Sequence, residues 1–163
     1  MNNNPDQGTT FDDPGEFKST LEPGSRLIGI DGGTKTLGLA LSDVNRTIAS
    51  PLKTIRKQKF TIDVERLLAI ANEHEIAGFV LGLPSNMDGT EGPRAQSTRA
   101  FAANLNKIDA RPVLLWDERL STVAAQRVLI DADTSRQRRA RVIDKIAATV
   151  ILQNALDRMN SPA

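Results

Sequence analysis

Short apolar segments that end in acidic or turn residues alternate with longer amphipathic segments along most of the chain. Residues 26–31 form the first apolar segment, and residues 36–42 form a second one after the glycine-rich turn at residues 32–35. This pattern predicts a β-hairpin. Residues 47–56 predict a third strand, and Pro51 places part of it at a sheet edge because proline cannot donate a hydrogen bond to a neighbouring strand. The three segments together predict an antiparallel meander.

The spacing of apolar residues changes after residue 60, where helical intervals begin. Helices are predicted over residues 61–74, residues 90–107 (with Thr90 as the N-cap), residues 120–130 and residues 141–159. Buried strands are predicted over residues 77–83 and 112–116, and a charged loop over residues 131–140. This order predicts an α/β fold with a five-stranded mixed sheet, in which a three-strand antiparallel meander continues into parallel strands, flanked by helices.

The first 24 residues differ from the rest, because they are polar and rich in Asn, Asp, Gly and Pro. We expect a disordered tail over residues 1–24 and a folded domain over residues 25–159. The tail has neither the basic start nor the apolar stretch of a secretory signal. No apolar run of the chain approaches the roughly 20 residues of a membrane span. We therefore expect a cytoplasmic protein without a membrane partner.

The composition restricts the chemistry that the chain can perform. Its 163 residues include no cysteine and one histidine. This composition excludes disulfides and thiolate metal sites and favours a reducing compartment. A catalytic metal would need oxygen ligands, which Mg²⁺ and Mn²⁺ prefer and zinc does not. The net charge of +1 does not by itself indicate a nucleic-acid binder, although basic residues cluster at residues 56–59 and 136–141.

Acidic residues stand where two predicted strands end. Asp31 ends the first strand, and Asp117 and Glu118 follow the last one. If the strand at residues 77–83 lies between them, the acidic ends are roughly 10 Å apart at the backbone. Carboxylates that reach across this gap can share metal ions about 4 Å apart. Gly82, near the end of the middle strand, would leave the space between them open.

A third acid is expected at Asp144, in the first turn of the last predicted helix and beside apolar residues. An acid at an apolar face is costly unless it is paired or metal-bound. The alternative is that Asp144 only interacts favourably with the helix dipole. Three acids on three elements fit phosphodiester hydrolysis, in which one metal ion activates a water and the other stabilises the leaving oxygen.

Only one of the adjacent acids Asp117 and Glu118 is expected to reach the metal, because neighbouring strand residues point to opposite faces. The longer side chain of Glu118 is the better candidate, and Asp117 would instead orient Arg119 or cap the next helix. Six basic residues are candidates for nucleic-acid contact, each with a solvated surface position as the alternative. They are Lys35, Arg94, Arg99, Arg136, Arg138 and Arg139.

Four motifs in the same order resemble the YqgF family, also called RuvX. Its opening is similar to Ile30-Asp31-Gly32-Gly33-Thr34-Lys35 followed by Gly38-Leu39-Ala40-Leu41-Ser42-Asp43. Its central loop is similar to residues 82–92, its third signature to residues 117–122, and its last helix to Asp144 with residues 147–148 and 151–153. Thr36 departs from the pattern, because many relatives carry a basic residue there, and a phosphate contact at this position is therefore in doubt.

The resemblance implies an RNase H-like fold related to RuvC Holliday junction resolvases. It implies a nuclease that matures the 5′ end of pre-16S ribosomal RNA, with cleavage of DNA four-way junctions as the alternative. It also carries Asp31, Glu118 and Asp144 over as catalytic residues and as ligands of two Mg²⁺ or Mn²⁺ ions. The expected partner is nucleic acid, with RNA favoured over DNA, and the chain could act as a monomer or a homodimer.

Two other functions compete with the nuclease. The Asp-Gly-Gly-Thr turn after a strand also resembles the phosphate-binding start of actin-like kinases and ATPases. Those proteins need a second lobe and a second phosphate loop, for which this chain is too short. A non-catalytic RNA-binding factor in ribosome assembly is favoured by the near-neutral charge, because nonspecific binding depends on many basic contacts. The presence of all three acids argues against it.

Overall fold

A mixed six-stranded sheet lies at the centre of the computed structural model. The structure describes residues 7–120 and 136–161 of the chain, and of residues 136–144 it describes the backbone alone. The strands are β1 (Thr10–Phe11), β2 (Arg26–Gly32), β3 (Thr36–Ser42), β4 (Ala49–Arg56), β5 (Ile76–Leu83) and β6 (Val113–Asp117). The helices are α1 (Pro14–Ser19), α2 (Phe60–Glu73), α3 (Pro93–Ile108) and α4 (Arg136–Asn160), and a short 3₁₀ turn covers Glu118–Leu120. The strand order is β1-β6-β5-β2-β3-β4.

The predicted combination of a meander and parallel strands is confirmed. Strands β2, β3 and β4 pair antiparallel, whereas β5 pairs parallel with both β2 and β6. The sheet has six strands, and not the predicted five, because the short strand β1 adds parallel to β6. Strand β4 lies at the sheet edge and contains Pro51, as predicted.

The prediction of a disordered tail is wrong for residues 10–19, which form β1 and α1. The Asp13 carboxylate caps α1, because it accepts hydrogen bonds from the backbone amides of Gly15 and Glu16, both at 3.3 Å. The Phe17 side chain is fully buried, and its ring meets the Phe11 ring edge to face at 6.2 Å. The packing of Phe11 and Phe17 thus stabilises a folded conformation in a segment whose average composition is typical of disordered chains. Residues 1–6 of the predicted tail lie outside the described residues.

Replacement of Phe17 by alanine is expected to lower the free energy of unfolding by about 3–5 kcal/mol, since a fully buried aromatic side chain would leave a cavity. Denaturant unfolding of the variant and the parent chain measures the difference. Ser19→Ala, at an exposed position of the same helix, should change it by about 0.5 kcal/mol or less. Equal stability of Phe17→Ala and the parent would show that α1 is not part of the core.

The two faces of the sheet pack against different helices. Alternate strand residues such as Ile30, Leu81 and Leu115 pack in one cluster with residues of α2 and α3. The intervening residues, such as Val80 and Trp116, pack in a second cluster with α4. Because side chains alternate along a strand, each acid at a strand end is assigned to one of these faces by its position.

Gly29, in the middle of β2, allows α4 to pack directly on the sheet. A Cβ atom at this position would lie 2.7 Å from Leu152 Cβ and 2.9 Å from the Ala148 carbonyl oxygen, and real Cβ atoms do not approach so closely. The glycine therefore brings the helix and the strand into backbone contact. Asp31, two residues further along β2, belongs to this same α4 face.

The direction of α4 follows from its contacts near the C-terminal end. The Asn160 side-chain amide donates to the Arg46 carbonyl at 2.8 Å, and the Arg46 guanidinium donates to the Ser25 carbonyl at 2.9 Å. Since Ser25 directly precedes β2, the C-terminal end of α4 lies at the start of β2. The N-terminal half of α4 therefore runs toward the end of β2, where Asp31 stands. None of the described helices is long and apolar enough to cross a membrane.

Two predicted helix starts are wrong. Helix α3 begins at Pro93 with Gly92 as the N-cap, because the predicted cap, Thr90, instead hydrogen-bonds to the Asp88 carboxylate. Helix α4 begins at Arg136, so residues 136–140 are helical and do not belong to a loop. Its first turns are rich in Arg, Gln and Ala, which favour helix even without apolar periodicity. The predicted helix over residues 120–130 lies outside the described residues except at Leu120, which belongs to the 3₁₀ turn.

Candidate active site

Strand β5 lies between β2, which carries Asp31, and β6, which directly precedes Glu118. The predicted separation of the two acidic ends depends on this arrangement. In the pairing register, Ile30 of β2 lies opposite Leu81 of β5, and Gly82 of β5 lies opposite Trp116 of β6. Asp31 is therefore level with Gly82 across the sheet. Two strand spacings separate β2 from β6, which is roughly 10 Å at the backbone.

Asp31 is one of the few charged residues in the interior of the described structure. Its exposed fraction is 2%, and it pairs with Gly38 in the ladder between β2 and β3. A carboxylate at such a position is stable only with polar or metal-ion partners, because the loss of hydration is otherwise too costly. The ladder with β3 holds the Asp31 backbone, and the preceding residue, Ile30, pairs with β5 as well, so the carboxylate stands on a rigid element.

Glu118 extends over the end of β5. Its Oε1 atom lies 2.9 Å from the point where a Cβ atom at Gly82 would stand, and Ile151 Cδ1 of α4 lies 2.5 Å from the same point. A side chain at position 82 would displace both groups. The lack of a side chain at Gly82 thus lets Glu118 reach across β5 on the α4 face, the face to which Asp31 belongs. The space that the sequence suggested would stay open is occupied by Glu118 and Ile151.

Asp117 lies on the sheet face opposite α4, and its carboxylate binds Arg119. Its Oδ2 atom accepts hydrogen bonds from Arg119 Nη2 at 2.5 Å and Nε at 2.9 Å, and its Oδ1 atom accepts from the Arg119 backbone amide at 2.9 Å. These hydrogen bonds from Arg119 lower the pKa of Asp117. Contact with Arg119 is one of the two alternatives that the sequence left open for Asp117. The role of Glu118 as the metal ligand stays a prediction.

The loop between β5 and α3 lies against Arg119, a residue that sequence reasoning named only as a partner of Asp117. Asn86 and Thr90 close the loop with a backbone hydrogen bond of 2.8 Å. Gly89 has a φ of 91°, and a Cβ atom there would lie 3.2 Å from Arg119 Nη1. Two motifs that are 30 residues apart in sequence therefore meet at Arg119. The Asp-x-Arg spacing at a strand end was the signal that could have identified it.

Arg99 is engaged by two acids, although the sequence suggested a nucleic-acid contact. Its guanidinium donates to both carboxylate oxygens of Glu91, at 2.5 and 3.0 Å, and lies 3.4 Å from the Asp12 carboxylate. The hydrogen bond from Arg99 lowers the pKa of Glu91. Arg99 thus joins α3 to the preceding loop and to the N-terminal segment, and its charge is compensated within the protein.

Two other cationic side chains attach to the turn after Asp31. Lys57 Nζ donates to the Gly33 carbonyl at 2.5 Å, and Arg94 Nη2 makes a longer contact of 3.5 Å with the Gly32 carbonyl. Lys35 is exposed in the same turn, and its carbonyl accepts from the Lys57 backbone amide at 2.8 Å. The sequence singled out Lys35 and Arg94, whereas Lys57 stood only within a basic cluster.

The remaining candidates lie on α4. Asp144 precedes Ala148 by four residues and Ile151 by seven, and helical periodicity puts these three positions on one side of α4. The side chain of Asp144, and those of Arg136, Arg138 and Arg139, lie outside the described part of the structure. Among the described side chains, no group of three His, Cys, Asp or Glu residues could hold a metal ion.

Comparisons with known proteins agree on one family. A family model described as "RuvX: Holliday junction resolvase" matches residues 25–158. A protein of Ruegeria pomeroyi named "Putative pre-16S rRNA nuclease" is 58% identical over 146 residues, which cover 90% of this chain and 95% of the relative. A protein of Beijerinckia indica with the same name is 60% identical over 144 residues, which cover 88% of this chain and 87% of the relative.

The fold is also similar to that of a solved structure. RuvC of T. thermophilus, solved in complex with a Holliday junction substrate, matches with a TM-score of 0.51 and 14% sequence identity. The match covers 83% of this chain and 96% of RuvC. At this level of identity the similarity shows the fold alone. The predicted RNase H-like fold is thereby confirmed.

Proposed function

Because this chain belongs to the RuvX family, we propose that it is a nuclease that hydrolyses phosphodiester bonds, with precursor 16S ribosomal RNA as the substrate. The observation that carries the proposal is the position of the Glu118 carboxylate over Gly82, on the sheet face to which buried Asp31 belongs. A glycine that admits a carboxylate into this position is unnecessary in a protein that only binds RNA. We propose that the cut lies near the 5′ end of the precursor.

The chemistry of the donor set fits a hard divalent ion. Asp31 and Glu118 offer carboxylate oxygens from the two sides of β5, and oxygen donors of this kind suit Mg²⁺ or Mn²⁺. Asp144 is the third proposed ligand. Two such ions, when bound, activate a water and stabilise the leaving oxygen of the cleaved bond. The protein contributes rigid attachment, since Asp31 stands in a ladder and Glu118 follows directly after β6.

The residues around Glu118 support its position. Asp117 fixes the chain at the end of β6, because its carboxylate binds both the backbone amide and the guanidinium of Arg119. Arg119 in turn packs against Gly89 of the loop before α3. We propose that this arrangement orients Glu118 toward Asp31 and that neither Asp117 nor Arg119 takes part in the chemical step.

A side-by-side cleavage assay tests the proposed substrate. The full chain is incubated with a precursor 16S RNA fragment that spans the 5′ end and with a four-way DNA junction, in Mg²⁺ and in Mn²⁺. We expect the RNA to be cut and the junction to stay intact. Cleavage of the junction alone would assign the activity to DNA. Tight RNA binding without cleavage of either substrate would favour the role of an assembly factor.

Removal of divalent ions is expected to abolish cleavage, because the proposed mechanism depends on bound ions to activate the water and to stabilise the leaving oxygen. Activity should return with Mg²⁺ and at least as well with Mn²⁺, since both ions prefer oxygen ligands. The rate is measured after chelation, dialysis and titration of each ion. A thermal unfolding curve of the chelated chain serves as the control for intact folding. Cleavage that persists after exhaustive chelation would contradict the two-metal proposal.

A further inference from the structure

Two clefts flank the end of the sheet where Asp31 and Glu118 stand, and they differ in charge. The first lies beside Asp117 and Arg119 and is lined by three acids, Asp12, Glu91 and Asp117, as well as by two arginines. Both arginines form salt bridges with these acids. A polyanion would meet no uncompensated positive charge there.

The second cleft lies between the turn after Asp31 and helix α3, and its volume is about 340 Å³. Lys57 and Arg94 line it together with hydroxyl groups, including that of Ser97, and no carboxylate is among its described lining residues. None of the salt bridges in the described part of the chain involves Lys57 or Arg94. Their charges are therefore available to an anionic ligand.

The turn holds the Lys57 ammonium in place, and the Arg94 guanidinium lies beside the turn at a longer distance. Lys57 Nζ lies 2.5 Å from the Gly33 carbonyl oxygen, and Arg94 Nη2 lies 3.5 Å from that of Gly32. These contacts use one donor of each group, and an ammonium carries three donors and a guanidinium five. The other donors can therefore bind a ligand in the cleft without loss of the contact to the turn.

Gly32 has no side chain that would narrow the cleft. A Cβ atom at Gly32 would meet only Leu37 Cδ2, at 3.9 Å, among the described atoms. A ligand can therefore approach the backbone of the turn closely. Gly32 is also the residue that follows Asp31, so the cleft adjoins the C-terminal end of β2, where the proposed catalytic carboxylate stands on the opposite face.

We propose that this cleft binds the phosphodiester backbone of the substrate strand, with Lys57 and Arg94 as the phosphate contacts. The inference rests on the proposed nuclease function, because the turn connects the cleft to Asp31. A guanidinium binds two phosphate oxygens at once, and an ammonium binds phosphate as a compact charge. Contacts of this kind position a strand without reading its sequence. The substrate strand thus passes around the C-terminal end of β2, from the α4 face with Asp31 to the α3 face with Lys57 and Arg94.

Binding in the absence of cleavage tests this proposal. Every variant is made in a chain that also carries Asp31→Asn, and the probes are end-labelled single strands of RNA and DNA with the same sequence. Fluorescence anisotropy across a range of salt concentrations gives the affinity and its salt dependence. We expect Lys57→Gln and Arg94→Gln each to weaken binding about 5- to 10-fold and to lower the salt slope by about 0.7, the value for one phosphate contact on a single strand.

Two controls separate a charge effect from a structural one. Arg66→Gln removes an exposed charge from α2, which lines neither cleft, and should leave affinity unchanged. Lys57→Arg should restore most of the binding, because it keeps the charge. RNA and DNA should be affected alike, since the proposed contacts are to phosphate.

The outcomes distinguish this proposal from the nuclease function. Unchanged affinity and salt slope in both glutamine variants would overturn the phosphate contacts even if the parent chain cuts RNA. A loss confined to RNA would also overturn them, since it would indicate contact with the 2′-hydroxyl. The glutamine variants could weaken binding of both the RNA and the DNA probe although the parent chain, without Asp31→Asn, cuts neither the precursor RNA nor the junction. That result would support the phosphate contacts in the cleft and contradict the nuclease function.

Discussion

An Asp31→Asn variant is expected to fold like the parent chain and to cleave about 1,000-fold more slowly or not at all. Asparagine has nearly the same volume as aspartate, so the buried position, 2% exposed, should tolerate it. The amide, however, removes the negative charge that a divalent ion requires. A metal ion contributes several kcal/mol to stabilising the transition state, and about 4 kcal/mol corresponds to 1,000-fold in rate.

Single-turnover cleavage at saturating metal measures this loss, and thermal unfolding checks the fold. Asp43→Asn is a matched control, because Asp43 also follows a strand of the meander but accepts hydrogen bonds from the Thr47 and Ile48 amides. That variant should cut at the parental rate. An Asp31→Asn chain that also cuts at the parental rate would place the catalytic site elsewhere.

The contribution of Asp43 to the stability of the folded chain is expected to depend on pH. The hydrogen bond from the Ile48 amide, supported by those from Thr47, lowers the pKa of Asp43 below its ordinary value. A carboxyl whose pKa is lowered by folding stabilises the native state above its unfolded pKa. This stabilisation disappears as the pH falls through the folded pKa. Asp43→Asn should therefore reduce the dependence of stability on pH in the acidic range and leave cleavage intact.

Glu118→Gln is expected to reduce cleavage about 100-fold or more, whereas Asp117→Asn should cost about 10-fold or less. Glu118 occupies the space over Gly82, so its charge would contribute directly to holding the metal. Asp117 instead forms a salt bridge with Arg119 at 2.5 Å, and its loss would only loosen the end of β6 and the adjoining loop. The hydrogen bonds from Arg119 lower the pKa of Asp117 and so favour the ionised carboxylate of this pair.

Cleavage rates of the two variants, measured with the same substrate and metal, decide between the acids. Arg119→Gln serves as the control for the positioning role, because it breaks the same salt bridge from the other side. Its loss should resemble that of Asp117→Asn. A larger loss from Asp117→Asn than from Glu118→Gln would reverse the assignment, and Asp117 would then be the proposed ligand.

The sequence by itself determined the class of the fold and two of the proposed site positions. Apolar segments of strand length place Asp31 at the end of β2 and Glu118 just after β6, and local periodicity is sufficient for this assignment. The same alternation separates Asp117 from Glu118, because adjacent strand residues face opposite sides of a sheet. These properties depend only on neighbours along the chain.

The tertiary structure decided where the charges are compensated and where they remain available. Arg99 meets Asp12 across 87 positions of the sequence, and Lys57 reaches Gly33 across 24. Ion pairs and hydrogen bonds depend on distances of a few ångströms between groups that the sequence separates widely, so composition cannot reveal them. The folding of residues 10–19 has the same origin, because Phe17 packs not only against Phe11 but also against residues far away in the chain.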